Sequence, residues 1–213
     1  MEKNMKLQEL WLSSDEEKWL TALEEYSKLI KSANLEIEEE LSTLNSKIDE
    51  FRNISAENFY RFLYNKYFVW KYTAPNRLKT TRKYLKEYEN SYEKLKEIKN
   101  ELFSSKINNI ETGLKIAWEI KGLGIAGASG LLSLFYPEKY GTVDQFVVKS
   151  LLKLDEYKND IIMNSMKPEG LKLKDAVYLI RIYQTKSNEL NRNFNTQTWT
   201  PRKVDMILWS VER

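Results

Sequence analysis

The sequence predicts an all-α protein, a multi-helix bundle with a helix-hairpin-helix motif and, ahead of it, an acidic N-terminal helical hairpin. Three observations lead there. No glycine or proline occurs before Pro75, so nothing punctuates the first third of the chain. Apolar residues recur at three- and four-residue steps, the period of a helix with one face on a core. No run alternates apolar and polar residues for long enough to form a half-buried strand.

Ser14-Asp15-Glu16-Glu17 reads as a capping box, and Trp19, Leu23, Tyr26 and Ile30 follow on one face. A break near Ser32–Asn34 precedes a second helix with Ile37, Leu41, Leu44, Ile48 and Phe51 at heptad-like spacing. Such spacing suits a helical hairpin or an oligomer seam, and its short length favours the hairpin. Ser55 opens a helix to about Tyr72, and Pro75 begins another over roughly 75–88. Further helices are expected over about 91–103 and 107–120, then after Pro137 near 143–153, 171–185 and 201–211. In the last, Thr200 caps, Pro201 takes the first turn, and Val204, Ile207, Leu208 and Val211 fall at i, i+3, i+4 and i+7.

A chain of 213 residues suits one sizeable domain with an appendage, here residues 54–213 with an acidic extension over 1–53. Cysteine and histidine are both absent. That excludes thiolate nucleophiles, cysteine-held clusters, His-based triads and the usual zinc sites, so no side-chain metal site is expected. Catalysis falls to carboxylates, lysines, hydroxyls or backbone groups. The N-terminus lacks the apolar core of a signal peptide, and no apolar run approaches the roughly 18 residues of a membrane span. The expectation is a cytoplasmic protein with no membrane partner.

Charge is unevenly spread. Residues 1–50 hold 6 basic and 13 acidic side chains, whereas residues 51–213 hold 28 and 18. The acidic segment is a candidate surface for a protein partner. Between Glu57 and Glu87 no acid occurs, yet Arg61, Lys66, Lys71, Arg77, Lys79, Arg82, Lys83 and Lys86 do, threaded with Tyr60, Tyr64, Tyr67, Trp70 and Tyr72. Bases interleaved with aromatics suit a nucleic acid, with Lys66, Lys71, Arg77, Lys79, Arg82 and Lys83 as a basic rim. Core aromatics with a solvated basic face are the competing account.

Five of seven glycines lie between 113 and 130, four of them in Lys121-Gly122-Leu123-Gly124-Ile125-Ala126-Gly127-Ala128-Ser129-Gly130. Gly122 and Gly124 permit a tight bend. The helix beyond it would begin with free amides at Gly124, Ile125 and Ala126, a nest for a phosphate. Gly127, Ala128 and Gly130 keep its first turns narrow, so that a second helix or a nucleic-acid backbone can approach. A phosphate-binding P-loop is excluded, because no Gly-Lys-Ser/Thr ending follows and no strand precedes.

In these residues the chain resembles the helix-hairpin-helix superfamily of base-excision DNA glycosylases. Their Gly-apolar-Gly bend is matched by Gly122-Leu123-Gly124, their alanine and apolar helix by Ala128 and Leu131–Phe135, and their aspartate by Asp144, twenty residues past Gly124. The resemblance covers about residues 107–155 and does not include 1–50. It implies double-stranded DNA as partner, with nucleoid association when bound, and backbone binding through Lys121, Gly122, Gly124, Ile125 and Ala126. It also implies a monovalent cation at the hairpin carbonyls and no other cofactor. Ala126 stands where members that also cleave the strand carry a lysine, so a monofunctional enzyme is expected. Gln145 and Phe146 follow the aspartate, where a hydroxyl or basic residue is common.

Asp144 is the expected catalytic carboxylate. Breaking an N-glycosidic bond develops positive charge on the sugar, which a carboxylate can stabilise while orienting or deprotonating water. A target base in a duplex must first be flipped out. Asp144 also reads as a helix N-cap, a compatible role. Tyr67, Trp70, Tyr72, Trp118, Gln145 and Trp209 are base-pocket candidates, each with a core reading beside it. Two other functions fit the same residues: a helix-hairpin-helix DNA-binding protein without chemistry, or a helical protein-interaction module.

Overall fold

A computed structural model describes residues 2–30 and 32–212, with side chains from 6–30 and 36–212. The chain is all-helical, and the described residues contain no strand. Helices α1 (Glu2–Trp11), α2 (Glu16–Leu29), α3 (Ser32–Ser42) and α4 (Ile48–Asn53) form the N-terminal quarter. Then come α5 (Ala56–Phe62), α6 (Phe68–Lys71), α7 (Pro75–Leu85), α8 (Glu93–Leu102), α9 (Ile110–Trp118) and α10 (Ile125–Phe135). The remainder is α11 (Gln145–Leu151), α12 (Ile161–Ser165), α13 (Leu173–Asn193) and α14 (Pro201–Val211).

Side-chain caps set several of these starts. Asp15 accepts from the Glu17 amide at 3.1 Å, Ser55 from Asn58 at 3.1 Å, and Asn109 from Thr112 at 2.9 Å, each satisfying an amide without a helical partner. α14 begins as expected, with Pro201 in its first turn behind the Thr200 cap. The expected break near Ser32–Asn34 falls earlier, after Leu29, with Lys31 outside the described residues. The helix expected through Phe51 is interrupted by a 3₁₀ turn at Leu44–Lys47. That expected from Ser55 to Tyr72 contains a π turn at Leu63–Tyr67. α13 runs eight residues past its expected end, and the short α12 was not foreseen.

α10 is the central helix, with ten of its eleven residues buried. Its glycines admit other helices. A Cβ at Gly127 would lie 2.6 Å from the Tyr72 hydroxyl, and one at Gly130 would lie 2.9 Å from that of Tyr67. The narrow face expected to admit either a helix or a nucleic acid is therefore taken by the segment carrying Tyr67 and Tyr72, and the Tyr67 hydroxyl donates to the Gly127 carbonyl.

Residues 1–53, expected as an extension, contribute to the same core as the rest. Trp11, Trp19 and Trp199 form a ring cluster with centroids 6.2 and 6.0 Å apart, and Phe51 packs edge-on to Phe135 at 4.9 Å. Lys186 lies beneath, donating to the Trp11 carbonyl at 3.0 Å. The boundary at residue 53 thus falls inside a core rather than between two. α2 packs along α14, whereas α3 reaches α6, so the two arms straddle the space between those helices.

Candidate active site

The bend between α9 and α10 is built on Gly122, whose φ of 91° is the left-handed conformation that glycine adopts without a Cβ penalty. A side chain there would also meet the Thr81 carbonyl 2.5 Å away, because α7 packs against the bend. Gly124 differs: it caps α10 in an extended conformation, is exposed, and has nothing within 4 Å of where a Cβ would stand. Packing does not explain a glycine at 124. The amides of Ile125 and Ala126 donate to no group among the described residues, as expected of a first turn. The Gly124 amide lies against the Tyr72 hydroxyl, which donates to the Gly122 carbonyl at 3.2 Å. The Leu123 carbonyl accepts no hydrogen bond among the described residues.

Beyond α10 the chain returns through Gly141-Thr142-Val143-Asp144, sewn to that helix by two serines. The Val143 amide donates to Ser129 Oγ at 3.0 Å, and Ser133 Oγ meets Thr142 Oγ1 at 3.1 Å. Ser129 lies five residues past Gly124, about 7 Å along the helix axis. Asp144 caps α11, with Oδ1 accepting from the Phe146 amide at 2.8 Å. Its Oδ2 takes no hydrogen bond among the described residues.

In front of Asp144 lies a cavity of about 350 Å³. That is within the usual size of small-molecule pockets and sufficient for one nucleobase. Its aromatic walls are Tyr26, Trp70 and Trp209, and Tyr26 and Trp209 meet edge-on at 5.5 Å. Its ionisable groups are Glu38, Lys71, Asp144, Arg202 and Asp205. Three of these bond to one another. Arg202 donates to Asp205 Oδ1 at 2.8 Å, Glu38 Oε1 at 3.3 Å, Thr142 Oγ1 at 3.2 Å and the Tyr26 hydroxyl at 3.0 Å. Asp205 also accepts the Thr142 amide at 2.6 Å, and Glu38 also accepts from Trp70 Nε1 and the Tyr26 hydroxyl. Burial pushes the Asp205 carboxyl up to about 6, against the pull of Arg202 and the Thr142 amide. Burial lowers the Arg202 guanidinium, but Asp205, Tyr26 and Glu38 together hold it above its usual range. This cluster ties α14 to α2, α3 and the turn before Asp144.

Lys71 and Asp144 are left over. The Lys71 ammonium makes no hydrogen bond or ion pair among the described residues, and its one ring contact is with Trp70 at 5.7 Å. Burial lowers it to about 8, with the nearby Arg202 and Arg77 charges acting in the same direction and Asp144 and Asp205 opposing.

The other expected site residues are scattered. Of the six pocket candidates Trp70 and Trp209 line the cavity, and the Tyr67 hydroxyl donates instead to the Gly127 carbonyl. Tyr72 braces the bend instead, because its hydroxyl is held by Gly122 and its ring by Phe68 at 5.4 Å. Trp118 is 48% exposed, on α9 away from the cavity, and Gln145 opens α11 outside the lining. Within the basic rim, Lys66 pairs with Glu40, and Arg82 donates to the Tyr64 carbonyl at 2.7 Å while stacking on that ring. Lys121 pairs with Glu87. Arg77 lies 5.5 Å over Tyr72, next to the bend, and Lys79 and Lys83 are exposed without an ion pair among the described residues. Lys71 is not on the rim: its Nζ and Cδ lie 3.3 and 3.4 Å from where a Cβ at Gly130 would stand, and the residue lines the cavity.

Tyr26, Glu38, Arg202 and Asp205 were missed by sequence reasoning. Arg202 and Asp205, three apart at the start of a helix, were the available signal. Among the described residues no group of carboxylates could hold a metal ion, and no helix is long and apolar enough to cross a membrane. No protein-family model, curated protein or solved structure matches the chain.

Proposed function

We propose that this protein is a DNA N-glycosylase that releases a damaged or modified base from double-stranded DNA with Asp144 as the catalytic carboxylate. The observation that carries the reading is the position of Asp144 at an aromatic-walled cavity, on a turn sewn to the helix that starts at the exposed Gly124. A base flipped into the cavity would lie among Tyr26, Trp70 and Trp209, bringing its sugar to the carboxylate. As the bond to C1′ breaks, the electron pair leaves with the base, and the carboxylate stabilises the cationic sugar and takes a proton from the attacking water. Oδ1 is held by the Phe146 amide, which orients the group before substrate arrives.

The amides of Ile125 and Ala126 at the exposed bend suit a phosphate of the same strand, and Arg77, Lys79 and Lys83 on α7 suit its neighbours. A monovalent cation at the Leu123 carbonyl would add positive charge opposite that phosphate. Flipping a base costs a few kcal/mol, which these backbone contacts would offset.

The test is incubation with duplexes that each carry one damaged or modified base, followed by alkali to cleave at abasic positions. Cleavage by the wild type, lost in Asp144→Asn with duplex binding retained, supports the assignment. Cleavage surviving that change rejects it. A DNA-binding module without chemistry is the second reading, favoured by the cap bond that gives Asp144 a structural reason to exist. It predicts salt-sensitive binding and no base release from any duplex.

A further inference from the structure

We propose that the cavity before Asp144 binds a free α-amino acid with a large apolar side chain, its carboxylate on Lys71 and its ammonium on Asp144. Such binding goes beyond base release and needs no DNA. The charged groups that line the cavity divide in two. Both oxygens of Asp205 and both of Glu38 accept hydrogen bonds, from Arg202, the Thr142 amide, Trp70 and Tyr26. Arg202 in turn spends its donors on those acids, Thr142 and Tyr26. Lys71 makes no hydrogen bond or ion pair among the described residues, and Asp144 makes no ion pair. One positive and one negative group therefore face the same space without closing on each other.

A lone anion in that space would meet Asp144 and Asp205, and a lone cation would meet Lys71 and Arg202. The ring faces that could hold a cation are also in use. Arg202 lies 5.6 Å over both Tyr26 and Trp70, and Lys71 lies 5.7 Å over Trp70. A molecule that carries the two charges in reverse satisfies both groups, and an α-amino acid bears that pair on one carbon. Burial lowers the Lys71 ammonium to about 8, a desolvation cost that a carboxylate in contact would offset.

The rest of the lining suits an apolar side chain. Tyr26, Leu29 and Ile30 fall at i, i+3 and i+4 on one face at the end of α2. Val147 stands in the first turn of α11, and Trp209 meets the Tyr26 ring edge-on. Leu29 is 42% exposed, apolar surface that a ligand in the cavity would cover. The volume of about 350 Å³ is at the small end of ligand pockets, which suits a molecule of phenylalanine's size. Both charges stand on fixed backbone. Lys71 ends α6 behind the π turn whose Tyr67 is anchored to the Gly127 carbonyl, and Asp144 follows the turn held by Ser129. Little ordering is then left for the ligand to impose.

The experiment titrates the full chain by calorimetry with L-phenylalanine and three analogues. Phenethylamine lacks the carboxylate, 3-phenylpropanoate lacks the ammonium, and glycine lacks the side chain. The wild type should bind L-phenylalanine saturably at one site, and each analogue at least about tenfold more weakly. Lys71→Met should abolish the preference over phenethylamine and keep that over 3-phenylpropanoate, and Asp144→Asn should do the reverse. No saturable binding of L-phenylalanine below about 10 mM overturns the proposal. So does any analogue that binds as tightly, or a preference unchanged in its matching variant. The analogue series on the wild type decides the matter even if a variant does not fold. Because no DNA is present, this result and that of the base-release assay are independent.

Discussion

Lys71 and Asp144 line one cavity, and no hydrogen bond or ion pair joins them. A lysine held near a carboxylate without closing on it bears a desolvation cost with little direct compensation. The arrangement is explicable if both groups are kept for a substrate, and its cost is measurable.

The folded chain releases the Lys71 proton near pH 8, the unfolded chain near 10.5. Between those values the unfolded state binds more protons, so this group makes stability rise with pH. Unfolded tyrosines begin to ionise at about pH 10, and buried Tyr67 and Tyr183, raised by burial, then act in the opposite sense. The useful window is therefore pH 7.5–9.5, set by these limits. Lys71→Met should raise stability at pH 7 by about 1–2 kcal/mol, and its advantage over the wild type should shrink as pH rises through that window. Urea melts at several pH values check this, and parallel curves for the two proteins would refute it.

Gly124 and Gly127 should respond oppositely to valine. At Gly124 the space is open and the backbone extended, so Gly124→Val should change stability by less than about 1 kcal/mol while weakening duplex binding at least about tenfold. At Gly127 the Tyr72 hydroxyl and Leu123 Cδ2 stand 2.6 and 3.1 Å from the new Cβ, so Gly127→Val should cost about 2–4 kcal/mol. Thermal melts and fluorescence anisotropy with a labelled duplex separate the two effects. Undiminished binding by Gly124→Val would remove the bend from the interface.

Arg202→Met leaves Glu38 and Asp205 with no cation in direct contact. The expected loss is about 3–5 kcal/mol at pH 8. It should be smaller at pH 5: with its counter-ion gone, Asp205 holds its proton more tightly in the folded than in the unfolded chain, so stability rises as pH falls. Chemical denaturation at the two pH values is the measurement, and an equal loss at both would show that Asp205 does not take up the proton.

A chain beginning at Ser55 should not fold cooperatively. It would expose Trp199 and Phe135, which now pack on Trp19 and Phe51, and remove Tyr26 and Glu38 from the cavity. Circular dichroism melts would show a broad, non-cooperative transition. A sharp transition would restore residues 1–53 to the status of an appendage.

Much of the fold was legible because periodicity and punctuation agreed. α14 was read to its ends from a threonine cap, a first-turn proline and an apolar i, i+3, i+4, i+7 stripe. The bend was read from Gly122, whose positive φ leaves few other residues admissible. α13 was read short, because Lys186, Ser187 and Asn191 break the apolar pattern although the first two are buried and the third binds Trp199. At the site, Asp144 was legible through its spacing from Gly124. Its surroundings were not: Glu38 meets Arg202 across 164 residues, a closeness that only folding creates. Lys71 was read as surface because an isolated lysine gives no sign of burial, and no local signal marks the π turn that precedes it.

The central claim is that the Asp144 carboxylate acts on a DNA sugar. Single-turnover base release from the best lesion duplex, compared between the wild type and Asp144→Asn, tests it most directly. Asparagine keeps the cap to Phe146 and changes only the charge. The account predicts a rate lower by about 100-fold or more, with melting temperature and duplex affinity nearly unchanged. Equal rates for the two proteins would contradict it.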